Sequence, residues 1–183
     1  MEDIIIFNDS GYDRMHFINL ICETEEIKWK ILEFHNQEFL LDKIGGGVFT
    51  REGHMKFLNE LPRLERKHYI VYFDDRAVGK YGFKFENNCI SDLSNYLFFE
   101  TDLMSGIGLL MRVAFFKYVF EVLNVDKITY KVLKTNKSTI SLSKKTGAIV
   151  VGEENDMYCY EVTNESYFRL REKLDSLVKF MFT

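Results

Sequence analysis

Only one proline, Pro62, and three cysteines occur in the 183 residues. With no Ser/Pro-rich or low-complexity tract either, nothing divides the chain, and one domain over residues 1–183 is the expectation. Cys22, Cys89 and Cys159 lie far apart, which excludes a paired metal spacing, so no metal is expected. Their odd number suits reduced thiols in a cytosolic protein. A basic excess is also missing. The net charge of −4 argues against a general nucleic-acid binder, whose affinity rests on clustered Lys and Arg. The longest apolar run, residues 106–123, is broken by Arg112, Lys117 and Glu121 and does not qualify as a membrane span. Glu2 and Asp3 are acidic where a secretory leader would be basic. These absences suit a cytoplasmic protein with neither nucleic acid nor membrane as partner.

What the chain does have is material for a core. Apolar residues make up 46% and aromatics 15%, including 17 Phe and 10 Tyr, which suits a tightly packed, regular fold. The pattern predicts a first strand over residues 2–7 and a helix over 24–34, with Ile27, Ile31 and Phe34 at helical spacing and Thr24 as N-cap. Residues 36–49, with Gly45, Gly46 and Gly47, read as a mobile or tightly turning loop. Thr50 caps a second helix that Pro62 stops. Residues 69–73 and 77–85 read as a hairpin about Asp74 and Asp75. On its second strand Tyr81, Phe83 and Phe85 share one face and Lys80 and Lys84 the other, the alternation of a half-buried antiparallel sheet. A strand over 94–99 precedes a helix over 107–124. Strand 127–133, helix 138–146 and strands 148–152 and 157–162 follow. Residues 165–182 carry Tyr167, Leu170, Leu174, Leu177 and Met181 at 3-4-3-4 spacing, an amphipathic helix that docks on the sheet or, in a homodimer, on a second subunit. The order predicts an α/β (α+β) fold of three layers: a central mixed, mostly antiparallel sheet of about seven strands with helices on both faces.

Chemistry concentrates between Tyr96 and Gly147. After the strand that ends near Phe99, Ser105, Gly106, Ile107 and Gly108 open the long apolar helix. Glycines there let backbone N–H groups approach a ligand, and the helix N-terminus adds a positive dipole end, a cradle suited to a pyrophosphate. The segment lacks the Gly-Lys-Ser/Thr of a P-loop and the third glycine of a dinucleotide fingerprint, so both of those nucleotide readings fall. Downstream, residues 127–145 hold six lysines and no acidic residue. That run is either a solvated face or a basic rim for a polyanion such as coenzyme A.

The segment from Leu103 to Gly108, the long helix after it, Ile128 to Val132, Asn136, and Ile140 to Gly147 resemble the acetyl-CoA motif of the GNAT superfamily of N-acetyltransferases. The likeness covers roughly residues 69–162 and rests on order and spacing over about fifty residues. It implies a GNAT-like fold and acetyl-CoA as cosubstrate. It implies that Gly106, Ile107, Gly108 and Leu109 bind the pyrophosphate through their backbone, with Ser105 beside them. Strand residues near Phe98 would pair with the pantetheine arm, and Asn136 would bond to it from the next strand. Leu103 stands where the family has Arg or Gln. Ser143 stands where it has the tyrosine that protonates the departing thiolate. A thiol of pKa ~8.5 leaves fairly well, and solvent could supply that proton. Tyr96, Tyr158 and Tyr160 are candidate replacements, and no spacing selects among them.

The N-terminal half should shape the acceptor site. His35, Asn36, Thr50, His54 and Phe57 resemble patterns of one GNAT branch, that of the aminosugar N-acetyltransferases of pseudaminic-acid biosynthesis and the ribosomal-protein N-terminal acetyltransferases, with His35 in place of an arginine. This implies substrate binding by His35, Asn36 and His54. Asp92 and Glu100, flanking the central strand, are the candidates for a base. The leading expectation is acetyl transfer to the amine of a nucleotide-linked aminosugar. Two other readings stay open: the same fold acting on a protein N-terminus or polyamine, and a non-catalytic acyl-CoA-binding module.

Overall fold

The computed structural model describes residues 2–44 and 47–182, so Gly45 and Gly46 of the expected glycine loop lie outside the described residues. Eight strands form one sheet: β1 (Ile4–Ile6), β2 (Met15–Asn19), β3 (Arg66–Phe73), β4 (Arg76–Glu86), β5 (Cys89–Leu97), β6 (Lys127–Leu133), β7 (Ile149–Glu154) and β8 (Met157–Thr163). Their order is β1-β2-β3-β4-β5-β6-β8-β7, and every neighbouring pair is antiparallel except β5 with β6. The sequence predicted about seven strands, and the one it missed is β2. There Met15, Phe17 and Asn19 point inward, and the polar His16 and Asn19 blur the two-residue alternation.

Two hairpin turns carry paired left-handed residues, Asp74–Asp75 and Asn87–Asn88, the arrangement that matches strand twist in a two-residue loop. The helices are α1 (Glu25–His35), α2 (Glu38–Ile44), α3 (Arg51–Glu60), α4 (Ile107–Lys117), α5 (Lys137–Lys145) and α6 (Asn164–Phe182). Thr24 and Thr50 cap α1 and α3 as expected, each accepting a backbone N–H three residues on. Residues 38–44 form α2 where the triple glycine suggested only a loop.

The sheet is covered on both faces. Ile31 and Phe34 of α1 and Phe57 of α3 pack with Ile70 and Phe98 on one side. On the other, α4 and α6 pack against Val71, Tyr81 and Phe83. Helix α4 buries eight of its eleven residues, which is why its sequence is apolar all round rather than striped. Phe115 stacks on Tyr81 with centroids 4.3 Å apart, adding to the burial of two large rings. The C-terminal stripe docks within the chain only in part: Tyr167 and Leu174 are buried in the α4-side cluster together with Val178, which the stripe does not include, while Leu177 and Met181 stay exposed.

The position of the site follows from a bulge in β5. Across β4 and β5, Gly82 pairs with Ser94 and Lys84 with Ser91, so Asp92 and Leu93 together face Phe83. Asp92 takes φ +51°, and its carbonyl and the Ser94 hydroxyl both receive the Arg66 guanidinium. Bulges bend a strand and increase its local twist. β5 pairs with β6 only at Cys89–Lys127 and Ile90–Ile128, before the bulge. Beyond it the two parallel strands part, and a cleft opens between them.

Candidate active site

The cleft is a cavity of about 520 Å³. Asn95, Tyr96 and Leu97 of β5 form one wall, the start of α4 another, and α5 with the end of α6 the rest. Lys43, Arg112 and Lys145 line it, and no carboxylate does among the described residues. Leu103, Gly106, Gly108 and Leu109 of the expected cradle line it as well.

At the cradle, Gly106 is the N-cap of α4 with φ +86°, a backbone conformation open to glycine. The Ile107 N–H donates to Ser105 Oγ at 3.2 Å, and Ser105 Oγ donates to the Asp102 carbonyl at 2.8 Å. The Leu109 N–H donates to the Gly106 carbonyl at 2.9 Å. Of the four N–H groups expected at the pyrophosphate, those of Gly106 and Gly108 are free of protein partners among the described residues. The methyl of Met181 lies directly over Gly106, so the end of α6 forms part of the rim.

Two cofactor expectations change with the geometry. Phe98 is fully buried against Phe34, its N–H donates to the Val78 carbonyl, and its carbonyl accepts from Gln37 Nε2 at 3.0 Å. Its backbone is spent, and Asn95–Leu97 are the strand residues that face the cavity. Asn136 is on no strand. It caps α5, its Oδ1 accepting from the Thr139 N–H at 3.1 Å, and its Nδ2 donates to the Lys43 carbonyl at 3.3 Å while it lines the cavity.

The basic run also divides. Lys127, Lys131 and Lys134 are paired with Glu161, Glu154 and Glu153 on the neighbouring strands. The cationic rim therefore narrows to Lys145 and Lys43 at the cavity, with Lys137 and Lys43 at a small recess beside it.

The expected acid and base residues are placed apart. Ser143 is fully buried and accepts hydrogen bonds from Arg112 Nη1 at 3.0 Å and from the Tyr130 hydroxyl at 2.9 Å. Asp92 is the bulge residue, exposed and 3.5 Å from Lys84, and Glu100 is exposed on a short 3-10 turn, so neither lines the cavity. Of the three candidate tyrosines, Tyr96 does. Its hydroxyl is buried without a partner, and burial pushes its phenol up.

On the face of β4 and β5 that α1 and α3 cover, His35, one of the residues expected at the acceptor side, lies near a group that the sequence did not single out. Lys80 pairs in register with Tyr96 on β5 and Ile70 on β3. His68 is two pairs further along, at 7% exposure, with neither ring nitrogen partnered. Lys80 Nζ lies over the Phe57 ring at 5.1 Å, and Phe57 meets His68 edge-on at 5.2 Å. His35 sits 6.0 Å from Tyr96, with its own Nε2 unpartnered, beneath Phe49 stacked on it at 3.9 Å. Asn36 clamps Phe49 through both amide atoms. His54 works elsewhere, since its Nε2–H donates to the Lys28 carbonyl at 2.7 Å and ties α3 to α1. Burial, with Lys80 and Arg66 nearby, pushes His68 down to about 2, and burial with Arg66 pushes Lys80 down to about 8.

Lys80 and Arg112 were the residues the sequence concealed. Lys80 reads as the solvent side of an alternating strand, yet helices cover both faces, so a polar residue in the pattern marks a site. Arg112 reads as an interruption in an apolar run.

The fold is that of the GNAT N-acetyltransferases whose solved structures resemble this chain. Acetyltransferase PseH of Campylobacter jejuni is 24% identical to this chain over 108 residues, which cover 58% of this chain and 67% of PseH. The crystal structure of C. jejuni N-acetyltransferase PseH in complex with acetyl coenzyme A superposes with a TM-score of 0.64 at 19% identity, over 81% of this chain and 98% of that one. Spermidine N-acetyltransferase from Vibrio cholerae, in complex with CoA and spermine, superposes with a TM-score of 0.70 at 12% identity, over 85% and 98%. No family model matches the chain.

Proposed function

We propose that the chain transfers the acetyl group of acetyl-CoA to the primary amine of a nucleotide-linked aminosugar in the cytoplasm. In this reading acetyl-CoA lies in the cavity between β5 and β6, its phosphates toward Gly106, Gly108, Lys43 and Lys145. Lys43 and Lys145 beside the cradle, with no carboxylate lining the groove among the described residues, suit a ligand that carries several negative charges.

One observation carries the acceptor half of the reading. Lys80 and His35 lie beside Tyr96, with His68 beyond Lys80 across the Phe57 ring, and the group leaves four buried polar atoms unpartnered with no carboxylate paired to Lys80 among the described residues. Buried polar groups are nearly always satisfied, so this cluster fits a ligand that supplies acceptors and negative charge. A nucleotide diphosphate does both. A polyamine brings only cations and would be repelled. A sugar amine of pKa ~8 is substantially neutral at cellular pH and needs only a weak base or a water relay, which suits a site without a carboxylate base.

Ligand competition at saturating CoA tests this, because CoA then occupies its own phosphate site. A nucleoside diphosphate is expected to bind and to weaken at least tenfold in Lys80→Met, whereas spermidine should not bind. Spermidine binding with no diphosphate binding would reverse the assignment.

A further inference from the structure

Arg112 is 1% exposed and carries a cation that no carboxylate neutralises among the described residues. It projects from α4 one turn beyond Gly108 and spans the cleft. Nη1 donates to Ser143 Oγ on α5 at 3.0 Å and to the Tyr130 hydroxyl on β6 at 3.2 Å, and Nη2 donates to Asn95 Oδ1 on β5 at 3.3 Å. All three partners are neutral. The guanidinium carbon lies 5.3 Å from the Tyr130 ring centroid, and Nε is buried with no partner. The other cations of the cavity, Lys43 and Lys145, only add to the positive field there.

A buried ion without a counter-ion is costly, and a core would replace it with an apolar residue unless the charge were used. Arg112 also lines the same cavity as the Gly106 cradle, so an anion entering that cavity can reach it. Its partner Ser143 occupies the position at which the sequence resemblance calls for a tyrosine. The short serine side chain gives the guanidinium a neutral anchor where a phenol would otherwise stand.

We propose that Arg112 does electrostatically what that tyrosine would do by proton transfer: its guanidinium receives the departing sulfur of coenzyme A as a thiolate. The inference rests on the acetyl-transfer reading above. The amine nitrogen forms its bond to the acetyl carbon, the carbon–sulfur bond breaks, and the bonding pair stays on sulfur. The amine proton passes to water, and the guanidinium keeps all of its own protons. A thiol of pKa ~8.5 needs little help to leave as an anion, and a fixed, desolvated cation beside it is a direct form of that help. Tyr130, Ser143 and Asn95 act as positioning residues, since they touch the guanidinium and set its plane.

The test reads the thiol itself. Coenzyme A bound to the whole chain is titrated with pH, and thiolate is followed by its ultraviolet absorbance against the desulfo-coenzyme A complex as blank. In the wild type the bound thiol is expected to titrate at least one pH unit below free coenzyme A. In Arg112→Gln it should return to the free value, and Arg112→Lys should restore part of the shift. Desulfo-coenzyme A affinity, which lacks the sulfur, should change little in both variants and reports that the cavity is intact. A wild-type bound thiol titrating at the free value overturns the inference, whether or not the variants fold. An equal shift in wild type and Arg112→Gln, with desulfo-coenzyme A affinity retained, also overturns it. Coenzyme A that does not bind the wild type overturns the acetyl-transfer reading with it, which separates the two failures.

Discussion

Asn36 holds Phe49 by both ends of its amide: Nδ2 donates to the Phe49 carbonyl and Oδ1 accepts the Phe49 N–H, each at 2.8 Å. The clamp fixes the Phe49 ring over His35. On the proposed reading, Asn36 thus bears on the acceptor side by placing another residue. Asn36→Ala removes two hydrogen bonds, together about 1–2 kcal/mol. The acceptor KM should rise about tenfold, with the acetyl-CoA KM unchanged. An equal rise in both constants would mean that the clamp supports the whole domain.

Gly106 is constrained twice, by its positive φ and by the Met181 methyl above it. Gly106→Asp adds to these a negative charge at the phosphate cradle. Coenzyme A affinity should fall more than 100-fold, about 2.7 kcal/mol or more, in a calorimetric titration. Met181→Ala, which clears the rim, should retain binding.

Gly79 supports the cavity wall from behind. A Cβ there would stand 2.6 Å from the Tyr96 carbonyl and 2.9 Å from Met111 Sδ, so β5 or α4 must shift. Gly79→Ala is expected to cost about 1–3 kcal/mol in urea unfolding and to weaken coenzyme A binding through the displaced strand. Unchanged stability would show that the wall yields freely.

His68 makes stability fall on the acid side. Its folded pKa is depressed to about 2, so between 6.5 and that value the unfolded chain binds a proton that the folded chain does not. Stability is complete above pH 6.5 and declines as the pH drops. From pH 6.5 to 5 the loss from this residue is about 2 kcal/mol. His68→Phe should flatten that slope in urea titrations at the two pH values. An unchanged slope would place the acid sensitivity elsewhere.

Lys80 gives acceptor binding an alkaline limb. With its pKa depressed to about 8, it is cationic below that pH and neutral above it. The titratable groups around it are Arg66, His35, His54 and His68, and burial keeps the three histidines neutral across that range. A nucleoside diphosphate competitor, which lacks the amine, should therefore bind more weakly as pH rises through 8. Lys80→Met should bind weakly at every pH, without that limb.

Much of this arrangement was legible because it is local. The α4 opening at Gly106, the threonine caps and the Asp74–Asp75 hairpin each follow from a few adjacent residues. The cleft is not local. It depends on the bulge at Asp92 and Leu93, and Asp92 there reads as a loop acid beside a strand. The same holds for Arg112, whose partners come from β5, β6 and α5, and for Lys80, whose burial depends on α3 lying across the sheet. Asn136 stands in the motif, and its capping of α5 through the Thr139 backbone N–H three residues on is local as well.

Turnover tests the central claim most directly: release of free thiol from acetyl-CoA with nucleotide-linked aminosugars, spermidine and peptide N-termini as acceptors, with the product identified by mass. The account expects one or more nucleotide-linked aminosugars to be acetylated on the amine, and spermidine not at all. Turnover of spermidine or a peptide N-terminus alone, with every nucleotide-linked aminosugar inert, would contradict it.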